Sequence, residues 1–469
     1  MLFSSMTFLW VFFPIVIIGS FLLRNRIKSQ NIFLLAVSLL FYAWGEPVYV
    51  LLMLLSITVN WLFGIWIDKF SYHKKYLLIG CIVINLSLLG YFKYYNFLIN
   101  TINNVLGGEV FRARDIALPI GISFFTFQAL SYVIDLYRGN CKVQKNVLNL
   151  ALYVSFFPQL IAGPIVRYKD IDEQIQYRQM TMDRFTIGLR RFVYGLSKKV
   201  IISNCCAEIA DQLFALDLKM LTTTGAWIAA ILYTLQIYYD FSGYSDMAIG
   251  LGKIFGFDFL ENFNYPYVSR TIHEFWQRWH ISLGGWFKEY VYIPLGGNRK
   301  GKLRTYLNLC AVFFLTGMWH GASWNFIVWG LYHGFFQIVE RLGLEKILKR
   351  YNIFSHLYCL FTVVIGWVLF RVESLSVGLR IIARMLMPWR YNFCEWGELS
   401  TLFSIRKVLI ICLGIIGAGI VQYLAKKNPR LVKRWKYSYL EGLFCTIILL
   451  YSIMLLVSGT YNPFIYFRF

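Results

Sequence analysis

Gly317-Met318-Trp319-His320-Gly321 sets one histidine between two apolar runs, and the reading of this stretch decides the fold. The run before it, 303–316, is apolar but only 14 residues long, and 322–339 is apolar again. A helix needs about 20 residues, rising about 1.5 Å each, to cross a bilayer core of about 30 Å. The first run is too short to carry His320 right across, so the imidazole is expected part-way through a membrane. Glycines on both sides of the Met-Trp-His triplet would let a helix break there. An ionisable side chain at such depth is costly and marks a functional site by default. The plainer reading is a core histidine hydrogen-bonded to a neighbouring helix.

Composition widens this to the whole chain. Of 469 residues, 58% are hydrophobic and only 15% charged, with mean hydropathy +0.55. That charge is too sparse for a soluble domain and too evenly spread for a soluble domain with one anchor. Long unbroken apolar runs exclude the short alternating strands of a transmembrane barrel. The expected fold is an all-α polytopic membrane protein with about 11–13 membrane-embedded helices, some short, broken or re-entrant. No linker rich in Pro, Gly or Ser divides the chain, and no repeat is found, so residues 1–469 read as a single membrane domain. The net charge of +22 falls in clusters between apolar runs, which reads as topology and not as a nucleic-acid surface. Nine cysteines without a CxxC pair suggest neither a disulfide framework nor a zinc site.

Basic clusters order the spans. Residues 1–23 read as a retained span, because Arg24, Arg26 and Lys28 follow it and place its far end inside. Spans at about 31–45 and 47–67 turn at Gly45-Glu46-Pro47 outside and return to Lys69, His73, Lys74 and Lys75. Spans at about 76–98 and 116–137 come back to Arg138, Lys142 and Lys145. Residues 147–215 are less regular: Phe157-Pro158-Gln159 and Ala162-Gly163-Pro164 would bend or break a helix, and 167–191 is polar and basic. The run 226–249 carries Asp240 and Asp246, and carboxylates within a membrane face a bundle interior or a watery cavity. Further spans are expected at about 353–370, 408–425 and 438–459. Lys426 to Lys436 is strongly basic and expected inside, so both termini are expected to be extracytoplasmic.

Residues 253–302 mix Trp and Tyr with Arg and Lys, the composition of an interfacial or re-entrant segment. A mere anchor has no need of histidines, yet four of the six (His273, His280, His320, His333) lie between 273 and 333. His280 and His320 are the candidates for proton chemistry, since an imidazole of pKa about 6.5 suits a general base near neutrality. On one helix His273 and His280 would stand about 10 Å apart, too far to share an ion, so no metal is expected. The serine-hydrolase elbow GxSxG is incomplete at Gly121-Ile122-Ser123, and no phosphate-binding GxxxxGK[ST] loop is present. A buried histidine without a serine elbow suggests base-assisted attack by a hydroxyl on an activated acyl donor.

Five stretches in one order then carry a resemblance: Leu118-Pro119-Ile120-Gly121-Ile122-Ser123-Phe124; Phe157-Pro158-Gln159 with Gly163-Pro164; Asp240-Phe241-Ser242-Gly243-Tyr244-Ser245-Asp246; Phe275-Trp276-Gln277-Arg278-Trp279-His280-Ile281-Ser282-Leu283; and Trp319-His320-Gly321. Over nearly its whole length the chain resembles the membrane-bound O-acyltransferases, in their bacterial polysaccharide O-acetylation branch. The resemblance implies a ring of tilted helices around a central tunnel. It puts His320 in the place of the catalytic histidine and His280 in that of the second characteristic histidine. It also implies acetyl-CoA as the cytoplasmic acyl donor and an extracytoplasmic polysaccharide acceptor. The expected partner is an extracytoplasmic esterase-fold (SGNH-like) acetyltransferase, and the expected location is the bacterial cytoplasmic membrane. The tail 460–469 ends Phe464-Ile465-Tyr466-Phe467-Arg468-Phe469 and resembles the terminal motif in which a tyrosine carries the acyl group, here Tyr466. Two rival readings are D-alanyl transfer to teichoic acid from a carrier protein, and a polysaccharide-precursor transporter working through Asp240 and Asp246.

Overall fold

Every regular element described is helical, as lipid requires of a chain that must satisfy each backbone N–H and C=O within its own segment. The computed structural model describes residues 1–394, 396–436, 438–459 and 461–465, without the side chains of Trp396 and Glu398. Among the described residues, five helices are long and apolar enough to cross a membrane: Tyr49–Lys69, Lys74–Leu106, Asn352–Arg371, Ile405–Lys427 and Tyr439–Ser458. Each falls on an expected span. The shorter apolar helices Phe8–Leu22 and Ile27–Ala43 match the first two. The chain is a multi-pass membrane protein, and the bare apolar side chains of Leu51, Val83, Leu443 and Leu450 are the ones it presents to lipid.

The departures from expectation have local causes. The span expected from 116 becomes helical only at Ile122, because Gly121 before it adopts φ +77° and Pro119 cannot donate. Bends at 156–164 do occur: Phe156 is extended, and the Phe157 N–H donates to Ser38 Oγ at 3.2 Å. Helices lie where none was expected, among them Tyr168–Gln176, Trp396–Thr401 and the longer Leu375–Leu386. The buried positions of this last helix, Gly378, Ile381 and Met385, follow helical spacing, but Arg380 and Arg384 interrupt the apolar run that marks a span.

Two compact units are distinguished, Met1–Phe192 with Ser245–Leu260, and Val193–Tyr244 with Glu261–Phe469. In the first, Phe3, Phe8, Phe12, Phe41 and Phe157 form a buried aromatic cluster. Asp246 there pairs with Arg191 at 2.9 Å, and the backbones at Gly188 and Gly250 meet so closely that a Cβ on either would lie within 2.6 Å of the other's carbonyl oxygen. The second unit repeats that contact seven residues along each helix: a Cβ at Gly243 would lie 2.7 Å from the Gly195 carbonyl oxygen. Its core holds Trp329 and Trp367, both wholly buried.

In this second unit, helix Lys302–His320 packs on helix Trp324–Val339 through small residues. A Cβ at Gly330 would stand 2.2 Å from the Phe313 carbonyl oxygen, and one at Gly317 would stand 2.4 Å from that of Phe326. Gly317 therefore serves close approach inside the helix, and the break expected around the Met-Trp-His triplet comes at Gly321 alone. Gly330→Ala is expected to destabilise the protein by about 1–3 kcal/mol. Gly442→Ala, at a helical position with nothing within 4 Å, is expected to leave it unchanged or slightly stabilised. Thermal unfolding in detergent compares the two.

Candidate active site

His320 is the last residue of helix Lys302–His320, where Gly321 turns the chain to extended backbone. It is only 4% exposed. Its ring meets three others edge to face: Trp319 at 4.9 Å, Trp329 at 5.1 Å and Phe370 at 5.2 Å. The helix C-terminus supplies partial negative charge, which stabilises a cation forming on the ring.

His280 sits at the break between helices Ile272–Arg278 and Ile281–Phe287. Its φ of +46° puts it in the left-handed region, shared by only one other non-glycine residue described, Tyr265. Such a residue carries about 1–3 kcal/mol of strain and needs its surroundings to hold it. The preceding segment does so: Ile281 N–H donates to the Asn262 carbonyl at 3.0 Å, and Asn264 N–H to that of Arg278 at 2.9 Å. Asn262 Oδ1 then accepts from Ser282 N–H at 3.2 Å and Ser282 Oγ at 2.9 Å, and faces His280 Nδ1 at 3.1 Å. A backbone N–H can only donate, so the Asn262 atom facing Ser282 is its oxygen. His280 Nδ1 must therefore carry the hydrogen, leaving the lone pair on Nε2. Nε2 is buried and meets no hydrogen-bond partner among the described residues.

The two histidines share a neighbour. Trp319 packs on His280 at 5.8 Å and on His320 at 4.9 Å. Trp329 in turn touches both His320 and the buried His333, at 5.1 and 5.3 Å. Three of the four clustered histidines thus belong to one stack of rings, while His273 lies out of it, beside Gln277 Nε2. A cavity of about 480 Å³ reaches His280 and is also lined by Trp276, Lys288, Tyr292, Phe313 and Arg341.

Asp240 is 1% exposed and pairs with Lys199 at 2.6 Å. Asp240 and Asp246, the carboxylates of the transporter reading, are thus both held by cations, Lys199 and Arg191. The chain segment 461–465 lies on the Asp240–Lys199 pair, with Ile465 N–H donating to Asp240 Oδ2 at 2.8 Å. Tyr466, the candidate acyl carrier, lies outside the described residues. Asn262 and Lys199 went unseen in the sequence. Asn262 carries no local signal, whereas Lys198-Lys199 directly before apolar Val200-Ile201-Ile202 is a charge at the edge of a span.

The profile of the membrane-bound O-acyltransferase family matches residues 142–382. The chain is 39% identical over its whole length to the probable alginate O-acetylase of Pseudomonas putida, all of which is covered. The chain belongs to the membrane-bound O-acyltransferase family. This acyltransferase is also 32% identical over its full length to the peptidoglycan O-acetyltransferase of Helicobacter pylori, covering 98% of that protein. Against the teichoic acid D-alanyltransferase of Bacillus subtilis it is 30% identical over 50% of this chain and 61% of that one. Asn262→Ala removes the shared acceptor, and leaving buried donors unmade costs about 1–3 kcal/mol. Lower thermal stability is expected, with acyl transfer reduced more than Ser282→Ala reduces it, both measured on purified protein.

Proposed function

We propose that this acyltransferase takes an acetyl group from acetyl-CoA on the cytoplasmic side and passes it across the bacterial cytoplasmic membrane through Tyr466, for O-acetylation of an extracytoplasmic polysaccharide. The observation that carries the reading is the docked tail. Ile465 is buried and bound to Asp240 in the unit that also holds His280 and His320. Tyr466 is one peptide bond further, about 3.8 Å from Cα to Cα. The full-length relatives named for O-acetylation of alginate and peptidoglycan support the acetyl group and the polysaccharide acceptor. The D-alanyl relatives match only about half the chain.

In this reading His320 accepts the phenolic proton of Tyr466 as the phenolate oxygen attacks the thioester carbonyl. A free phenol of pKa about 10 is only about 0.1% ionised at neutral pH, so the base is needed. The carbon–sulfur bond breaks, the thiolate of CoA takes up a proton, and the acetyl group rests on Tyr466 as an ester. A hydroxyl of the acceptor then attacks that ester, through an esterase-fold partner outside the membrane, and its proton returns to the phenolate. Proton transfer of this kind contributes about 10²–10⁴-fold to rate. His280, with its lone pair fixed on Nε2, lines the cavity that we assign to the thioester end of the donor. Lys288 and Arg341 on the same wall match the donor's phosphates in charge. Both chain termini are assigned to the extracytoplasmic side, from the placement of the basic clusters.

Incubation with acetyl-CoA labelled in its acetyl group tests the scheme. Label is expected on Tyr466, lost in Tyr466→Phe, and reduced about 10²-fold or more in His320→Ala. Undiminished label in Tyr466→Phe would remove the tyrosine; full activity of His320→Ala would remove the base.

A further inference from the structure

Beyond the histidines, one buried charged cluster has a geometry that points to a ligand, and the ligand is the chain itself. Lys199 and Asp240 have side chains 3% and 1% exposed and lie 2.6 Å apart. Lys199 stands in a π-helical stretch, Lys198–Ser203, and Asp240 in the long helix Thr223–Ile254. Gly243 lets its backbone close to contact distance with the Gly195 carbonyl, which brings the side chains together. Such π-bulges occur frequently at functional sites.

An ion pair closed to water needs its remaining bonding capacity filled. Here the tail supplies two of those bonds. Lys199 Nζ donates to the Pro463 carbonyl oxygen and faces the Phe464 ring at 5.9 Å. Asp240, whose Oδ1 faces Lys199, accepts from Ile465 N–H on Oδ2 at 2.8 Å. The Phe464 ring lies on Tyr244 at 4.8 Å, one helical turn beyond Asp240. Two outer contacts follow the same segment: Asn204 Nδ2 donates to Asn462 Oδ1 at 3.2 Å, and Tyr461 donates its hydroxyl hydrogen to Asp211, which Arg371 also binds. Two acid–base pairs, each completed by the tail, bracket five successive residues.

We propose that Lys199 and Asp240 form a peptide-backbone receptor for the tail, which sets how far residue 466 enters and so makes both of them positioning residues for acyl transfer. The receptor reads main-chain groups at 463 and 465, with the cation–ring contact at 464 fixing the register. A one-residue slip would put a carbonyl against the carboxylate. The role in transfer rests on the tyrosine relay proposed above, whereas the docking itself does not.

Two variants of the full chain test it from opposite sides. Lys199→Met with Asp240→Leu replaces the pair by apolar side chains of similar size, a change a buried pair commonly tolerates. Ile465→Pro removes from the tail the N–H that Asp240 accepts and leaves the pair in place. Hydrogen–deuterium exchange of the peptide containing 461–465 is read by mass spectrometry, alongside KM for acetyl-CoA and kcat. Both variants are expected to speed exchange of that peptide about 10²-fold or more. The expected fall in kcat is about 10–10²-fold, with KM for acetyl-CoA within about twofold, because a small misplacement of a reacting group has that cost. Unchanged exchange in both variants overturns the receptor. Fast exchange with undiminished kcat overturns the positioning role; if Tyr466→Phe is then still inactive, the relay stands without it. An active Tyr466→Phe overturns the relay instead, and leaves the exchange data to judge the docking alone.

Discussion

A lysine and an aspartate held 2.6 Å apart out of contact with water constrain everything around them. Charges so placed persist only where every proton and lone pair has somewhere to go. The helices must come within glycine distance to bring them together, which explains Gly243. What the two side chains still lack is supplied from more than 200 residues away in sequence, by the backbone at 463–465. The pair ties the end of the chain to the long helix Thr223–Ile254 by main-chain groups, and Phe464 adds its ring contacts with Lys199 and Tyr244.

The histidine centre obeys the same rule with different means. His320 is surrounded by aromatic rings, His280 by one amide oxygen and two rings. Aromatic walls hold an imidazole firmly, and under the proposed relay they would keep out water that competes for the acyl group. The left-handed backbone at His280 is the one local conflict within this centre, and it is stabilised by a short segment, 262–264, bonded to both sides of the break. Strain retained in that manner, next to a buried Nε2 with no hydrogen-bond partner among the described residues, fits the proposed acyl-transfer site.

Much of this was legible from residue order, because membrane helices are dictated by run length and charge. The spans from Tyr49–Lys69 to Tyr439–Ser458 follow from apolar runs closed by basic clusters. The break at His320 was written in its glycines, although Gly317 turned out to serve packing and only Gly321 the break. Asp240 was visible as a charge that could not face lipid, but its partner was not, since nothing in one sequence says that a lysine at 199 meets an aspartate at 240. Asn262 was silent for a deeper reason: its importance lies in which atom faces which, and that depends on a backbone N–H from Ser282. Helix Leu375–Leu386 was missed because two arginines hide a one-sided apolar stripe from any search for continuous hydrophobicity.

The two centres set different demands on one unit of the protein, and the demands are compatible only in a particular way. The histidines sit on short, broken or terminating elements, whose ends leave backbone groups and side chains pointing into space. The receptor for the tail sits on long, closely crossed helices, whose spacing is fixed by backbone contact at glycine and cannot relax by side-chain rotation. Under the proposed relay this division has a mechanical sense. The acyl carrier must reach both donor and acceptor, and its reach is counted from residue 465. An anchor for it must hold still, and a desolvated ion pair clamped to main-chain groups is suited to that.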